Sequence, residues 1–140
     1  MKKADDLAAE LLANAAELRR LHARVHETFA RRDESQQCRH IWETACKEFN
    51  NRYDMLAFPG GYWLDGSDSA LARIAGGDPQ TIEAALCFVE VRPYFFRSGY
   101  MFTALLRKLK RAALSPRQTE RLQHVLHRQA LWRSRRTRAR

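Results

Sequence analysis

The histidines and cysteines are the first residues to weigh for chemistry. His22 and His26 stand four apart in a stretch that reads Leu21-His22-Ala23-Arg24-Val25-His26. On a helix that spacing puts both imidazoles on one face, where they could share a metal ion. The zinc-protease form of the motif has a glutamate after the first histidine; Ala23 stands there, and no third ligand is evident. Cys38, His40 and Cys46 look like a cluster in print. At ~100° per residue, however, a helix turns His40 some ~160° away from Cys38. No metal site is expected.

Nucleophiles and acid–base groups fare no better. Cys87 sits in the run Ala84-Ala85-Leu86-Cys87-Phe88-Val89, where a thiolate would be desolvated, so the thiol is expected to be inert. No Gly-x-Ser-x-Gly turn occurs. Gly60-Gly61 and Gly76-Gly77 lack the P-loop lysine and the dinucleotide spacing. Asp65 and Asp68 flank Gly66 without the twelve-residue calcium spacing. Tyr53, His40, Glu43 and Lys47 could supply acid–base groups, but nothing orders them. The expectation is a protein with no catalytic residues and no cofactor, and not an enzyme.

One constellation stands above background. The net charge is +9 over 140 residues. Residues 1–103 hold 13 Lys and Arg against 15 Asp and Glu, whereas residues 104–140 hold 12 against the single acid Glu120. Such asymmetry points to an anionic partner. At ~100° per residue, Arg117, Arg121, His124 and Arg128 fall within an arc of about 60°, joined by Arg135 if the helix continues. They are expected to face away from Leu122, Val125 and Leu126. Arg97, Tyr100, Arg107, Lys108 and Arg111 lie in the same way opposite Leu105, Leu106 and Leu109. If these two helices pack as a hairpin through their apolar faces, both stripes remain in solvent. Arg133, Arg135, Arg136, Arg138 and Arg140 extend the patch.

The elements that must position these groups are all helices. Only 6 Gly and 4 Pro occur, and 45% of residues are hydrophobic, a balance that favours long uninterrupted elements around a real core. A heptad pattern over 4–31, with Leu7, Leu11, Leu18, Leu21 and Val25 on the seam, predicts a first helix. It either packs on its own domain or forms a coiled-coil arm, with Asn14 fixing register, through which the chain could homodimerise. A second helix over 34–56 buries Trp42 and Phe49 against the first. Residues 57–68 form an aromatic loop broken by Pro59-Gly60-Gly61 and Asp65-Gly66. Its Phe58, Tyr62 and Trp63 either anchor a partner or fold back to plug the core. A short helix follows to Ile74, capped by Ser67 or Asp68. Asp78-Pro79 starts a nearly all-apolar central helix to Val91, ended by Pro93. The next helix spans 94–113, with Gly99 allowing close packing. Ser115, Pro116 and Gln118 then make a capping box for a last helix to about Trp132.

The fold expected is therefore all-α: a single-domain helical bundle, or a short helical-hairpin array, of five to six helices over 1–132, with a basic flexible tail over 133–140. In the lengths of its helices and turns, the stretch 76–132 resembles stacked helical hairpins of the HEAT type. Residue-level repeats are missing, so that resemblance implies an architecture and no function. No apolar run approaches a signal-peptide core or the ~20 residues of a membrane span, and the expected location is the cytoplasm. The functional expectation is an interaction protein of adaptor, immunity or accessory type. It would bind a protein partner through Tyr62, Trp63 and Tyr100 and offer residues 104–140 to an acidic surface. The alternative is a nucleic-acid-binding accessory protein that uses the Arg-rich C-terminal helix and tail.

Overall fold

The computed structural model describes residues 3–61 and 69–139, with six helices and no strand among them. Helix α1 (Ala4–Phe29) carries Asp5 and Asp6 in its first turn, where acid complements the helix dipole. Leu7, Leu11, Ala15, Leu18 and Leu21 make its buried stripe. After a short turn, the Ser35 hydroxyl accepts the Cys38 amide at 3.0 Å and starts α2 (Gln36–Leu56). The two helices form an antiparallel hairpin, with Phe29 against Trp42 at one end and His22 against Phe49 further along. Ala45 and Phe49 are buried there and Trp42 is half-buried. The seam of α1 is thus covered by α2 and α4 of the same chain. It is not left open for the homodimer that the heptad pattern allowed, and Asn14 lies half-buried beside it.

Beyond α2 the chain turns through Gly60 and Gly61, whose φ angles of 89° and 69° lie in the left-handed region that favours glycine. Phe58 plugs the core, 6.2 Å from the Phe88 ring. Tyr62, Trp63, Asp65 and Asp68, and with them the expected aromatic anchors and the expected caps Ser67 and Asp68, lie outside the described residues. Helix α3 (Ala70–Ala75) starts at Ser69, whose hydroxyl accepts the Ala72 amide at 3.2 Å.

Helix α4 (Pro79–Val91) is capped by Asp78, which accepts the Thr81 amide at 3.2 Å. Every residue from Ala84 to Val89 is buried, and α1, α3, α5 and α6 all pack on it. It is central, as its apolar circumference requires. Arg92, at a φ of 51°, closes it in the left-handed region.

Helix α5 (Ser98–Arg111) starts four residues later than its apolar period suggested. The cause lies in tertiary contacts. The Tyr94 carbonyl accepts from the Arg19 guanidinium, and the Phe96 carbonyl accepts from the Tyr53 hydroxyl at 3.0 Å. Those oxygens are therefore taken by α1 and α2, and Arg97 enters α5 at a φ of 66°. Gly99 allows no close helix contact either: a Cβ there would meet nothing within 4 Å.

Helix α6 (Pro116–Ala139) opens with the expected reciprocal box. The Gln118 amide donates to the Ser115 hydroxyl at 3.1 Å, and the Ser115 amide donates to the Gln118 side-chain oxygen at 3.0 Å. The helix passes Trp132 and absorbs the segment expected to be a flexible basic tail. No glycine or proline interrupts 133–139, arginine is a strong helix former, and Thr137 bonds back to the Arg133 carbonyl. The expected α5–α6 hairpin does not form. Both helices pack on α4, and Arg121, Arg128 and Trp132 meet Glu83, Glu90 and Arg92 in succession, so α6 runs in the same direction as α4.

Candidate aromatic and basic interface

From Val91 to Thr119 the chain has no acidic residue and seven Lys and Arg. Within α5 the buried side is formed by Met101, Phe102, Leu105, Leu106 and Leu109. At ~100° per residue, Tyr100, Arg107 and Arg111 project nearly opposite that side, and all three are exposed. Lys108 is half-buried on the flank. Lys108, Lys110 and Arg111 occupy the last turn of α5, where cations also complement the helix dipole. For this helix the expected outward stripe is present.

The N-terminal end of that stripe opens onto a groove that the sequence reading missed. A cavity of about 670 Å³ lies between α1 and the start of α5, lined by Arg19, His22, Tyr94, Phe96 and Ser98 among others. A second, of about 1080 Å³, lies beside Tyr53, Met101, Ala104 and Arg107. Phe96, Arg97, Tyr100 and Thr103 line both, so they form a ridge between two hollows. Among the described residues no carboxylate lines either. Tyr94 is 77% exposed, Tyr100 80% and Phe96 42%.

The Phe96 end of the ridge is held from behind. Phe96 rests on His22 and Phe49, with ring centroids 4.8 and 6.1 Å away, and the Arg97 guanidinium lies 5.1 Å from its centre. Burial, aided by the charge of His26, holds the His22 imidazole below its ordinary value. Burial likewise pushes the Tyr53 phenol up, keeping it a neutral donor to the Phe96 carbonyl. Two non-glycine residues with positive φ, Arg92 and Arg97, bracket the segment. A left-handed residue other than glycine costs roughly 1–2 kcal/mol, a cost met here by the packing of Phe95 and Phe96.

The α6 stripe needs correction. Arg121 was expected to face solvent, but its side chain is only 19% exposed and lies between two carboxylates of α4. Its Nη1 donates to both oxygens of Glu83 at 2.7 and 2.9 Å, while Nη2 and Nε donate to Glu90 at 2.5 and 3.2 Å. Hydrogen bonding to Glu90 foremost raises the guanidinium pKa further, so the group is permanently charged and neutralised in place. The reason is angular. Leu122 and Val125 are buried with Gln118 and Gln129 half-buried between them, while Leu126 is only half-buried, so the inward direction of α6 lies nearer the arginine stripe than Leu126 suggested. The stripe lies ~100° from the core direction, and Arg121 itself ~70°, rather than opposite it. Arg128, on the same stripe, donates to the Glu90 carbonyl at 3.3 Å and so helps close α4.

The remaining α6 cations do not join those of α5 in one panel. Arg128, Arg135 and Trp132 line a separate hollow of about 380 Å³ with Arg92 and Phe102. Arg92 lies 4.4 Å from the Phe102 ring centre and 5.8 Å from that of Trp132. Phe102 is ~160° around α5 from Tyr100, so this hollow opens on another side. Arg117 is exposed at the start of α6. Arg133, Arg135, Arg136 and Arg138 are exposed near its end, with Arg136 5.4 Å from the Trp132 ring centre. Arg140 lies outside the described residues.

Groups of three or more metal-ligating side chains do not occur among the described residues. His22 and His26 meet edge to face at 4.6 Å, and Cys38 and Cys46 are half-buried free thiols. Cys87 is buried, and burial first, then the Glu83 charge, pushes its thiol up. None of the helices is long and apolar enough among the described residues to cross a membrane.

The residues missed by sequence were Arg19, His22, Tyr94 and Phe96. A signal was present in Arg92-Pro93-Tyr94-Phe95-Phe96-Arg97, where three aromatics lie between two arginines; assigning 94–97 to a helix hid it. Compared with known proteins, the chain matches no family model, no curated protein and no solved structure.

Proposed function

We propose that this chain is a non-enzymatic interaction protein that holds an anionic macromolecule on the outer face of α5 and the groove at its N-terminal end. One observation carries the reading. Arg19, Arg97 and Arg107 line the hollows beside exposed Tyr94, Phe96 and Tyr100, and no described carboxylate lines those hollows. A helix face that serves solubility alone mixes both signs of charge, whereas a face of one sign focuses a field that attracts its opposite. Carboxylates of an acidic protein surface and phosphates of a nucleic acid both match a planar guanidinium fork. The exposed arginines at the end of α6 add a second basic element, which extends the reach of the same electrostatic attraction.

The test is retention on a sulfated polysaccharide matrix. Reversing two exposed charges of the face, Arg107→Glu with Arg111→Glu, should lower the eluting salt concentration well below that of the parent. Reversing two exposed arginines of the α1–α2 hairpin, Arg24→Glu with Arg52→Glu, should shift it less. Equal shifts from the two pairs would mean that net charge alone governs retention, and the α5 face would have no special part.

A further inference from the structure

We infer that the ridge of Phe96, Arg97 and Tyr100, with Tyr94 on the wall of one adjoining hollow, is a stacking platform for unpaired bases, and that the anionic macromolecule is single-stranded nucleic acid. The inference rests on the anionic-partner reading above and adds the class of partner. It starts from what the rings are doing. An aromatic ring at 77% or 80% exposure contributes little to the core, yet two such rings and the part-exposed Phe96 stand together on one short stretch of chain. Phe96 is braced from beneath by His22 and Phe49, which leaves its outer side to the groove. Arg97 adds a guanidinium plane 5.1 Å from that ring, and such planes stack on bases as aromatics do.

Phosphate positions follow from the same walls. Arg19 and Arg97 flank one hollow and Arg97 and Arg107 the other, so cations stand on both sides of the aromatic ridge. Ser98 and Gly99, the first residues of α5, line the first hollow. The helix starts there without a side-chain cap, although the Ser98 and Tyr100 amides already donate to the Phe95 and Arg97 carbonyls. Open space beside Gly99 lets a backbone approach. Rings alternating with cations along a groove are how sequence-tolerant single-strand binders work, with base faces on the rings and the backbone on the charges.

Duplex and acidic protein fit less well. A duplex has its bases already stacked, so rings lining shallow hollows would meet only its backbone and gain nothing from their π-faces. An acidic protein would satisfy the arginines. It would not account for three rings in shallow open hollows, because protein anchors bury in well-packed, desolvated pockets.

The experiment is fluorescence anisotropy on the full chain with four probes: a labelled 12-nucleotide mixed single strand, its duplex, an abasic strand with the same number of phosphates, and a polyglutamate peptide. The single strand should bind at least tenfold more tightly than the abasic strand. Tyr100→Ala should weaken the single strand by roughly 5- to 150-fold, the range for loss of one stacked base, and leave the abasic strand unchanged. Tyr94→Ala should act in the same direction. Both tyrosines lie outside the core, and circular dichroism checks that the variants keep their helices. Equal binding of abasic and intact strands, or tyrosine variants that bind like the parent, would overturn the stacking platform. Binding of polyglutamate but not of the single strand would also overturn it while leaving an anionic protein partner standing. Binding of none of the four probes would overturn both readings.

Discussion

Replacing Arg121 distinguishes a structural arginine from a binding one. Arg121→Met keeps most of the side-chain volume but leaves Glu83 and Glu90 without the guanidinium that holds four hydrogen bonds to them. Removing one partner of a fully buried ion pair costs about 3–5 kcal/mol, whereas an exposed pair is worth about 0–1 kcal/mol. The three side chains here are 19%, 16% and 32% exposed, between those limits. The bidentate geometry to Glu90, with Nε and Nη2 each on one carboxylate oxygen, favours the upper part of the range. A loss of about 2–3 kcal/mol is expected, which for a domain of this size lowers Tm by roughly 7–10 °C. Urea unfolding followed by circular dichroism at neutral pH measures it. The triple variant Glu83→Gln, Glu90→Gln, Arg121→Met should recover at least half of the loss, because the stranded charges are then gone. Retention of folded Arg121→Met on the sulfated matrix should match that of the parent. If stability instead stays within about 0.5 kcal/mol of the parent while retention falls, Arg121 is a free contact residue and the structural assignment is wrong.

Two further outcomes follow from groups whose protonation the fold perturbs. His22 is held below the ordinary imidazole value of 6.5, so just below that pH the unfolded chain binds more protons than the folded one. Stability is therefore complete above about pH 6.5 and declines as pH falls through the lower folded value. His22→Phe, which keeps the stacking on Phe49 and Phe96, should flatten the fall in urea midpoint between pH 6.5 and 5; parallel curves for variant and parent would exclude His22 as its source. Burial keeps the Cys87 thiol protonated, so iodoacetamide at pH 8 should label Cys38 and Cys46 first and reach Cys87 only as urea opens the fold. Peptide mass mapping reads the order, and early labelling of Cys87 would contradict its burial.

How much of this was legible in sequence depends on how local the determining contacts are. The bounds of α4 follow from Asp78-Pro79 at one end and Pro93 beyond the other, and the α6 start follows from Ser115 and Gln118, because every partner lies within a few residues. The start of α5 was misread for the opposite reason. The oxygens that would have continued the helix backward are held by Arg19 and Tyr53, which lie 75 and 43 residues away in sequence. The aromatic groove was hidden with it, since Tyr94 and Phe96 reach the surface only because the chain leaves helical geometry there. The α1 seam could be read as apolar, but its coverage by α2 and α4 rather than a second copy could not.

The arginine stripes show the same limit from another side. Helical spacing fixes which side chains share a direction, but only the neighbouring helix fixes which direction is inward. On α5 the apolar face is broad and leaves one outward side, so Tyr100, Arg107 and Arg111 are exposed as read. On α6 the buried Leu122 and Val125, rather than the half-buried Leu126, set the inward direction nearer the stripe, and Glu83 and Glu90, seven residues apart on α4, stand where Arg121 arrives. Counting arginines along α6 therefore overstates its charge available to a ligand, since Arg121 is spent on two carboxylates. The weight of the anionic-partner reading moves accordingly to α5. There the cations meet no acid within the 91–119 stretch, and the exposed rings give a ligand something besides charge to bind.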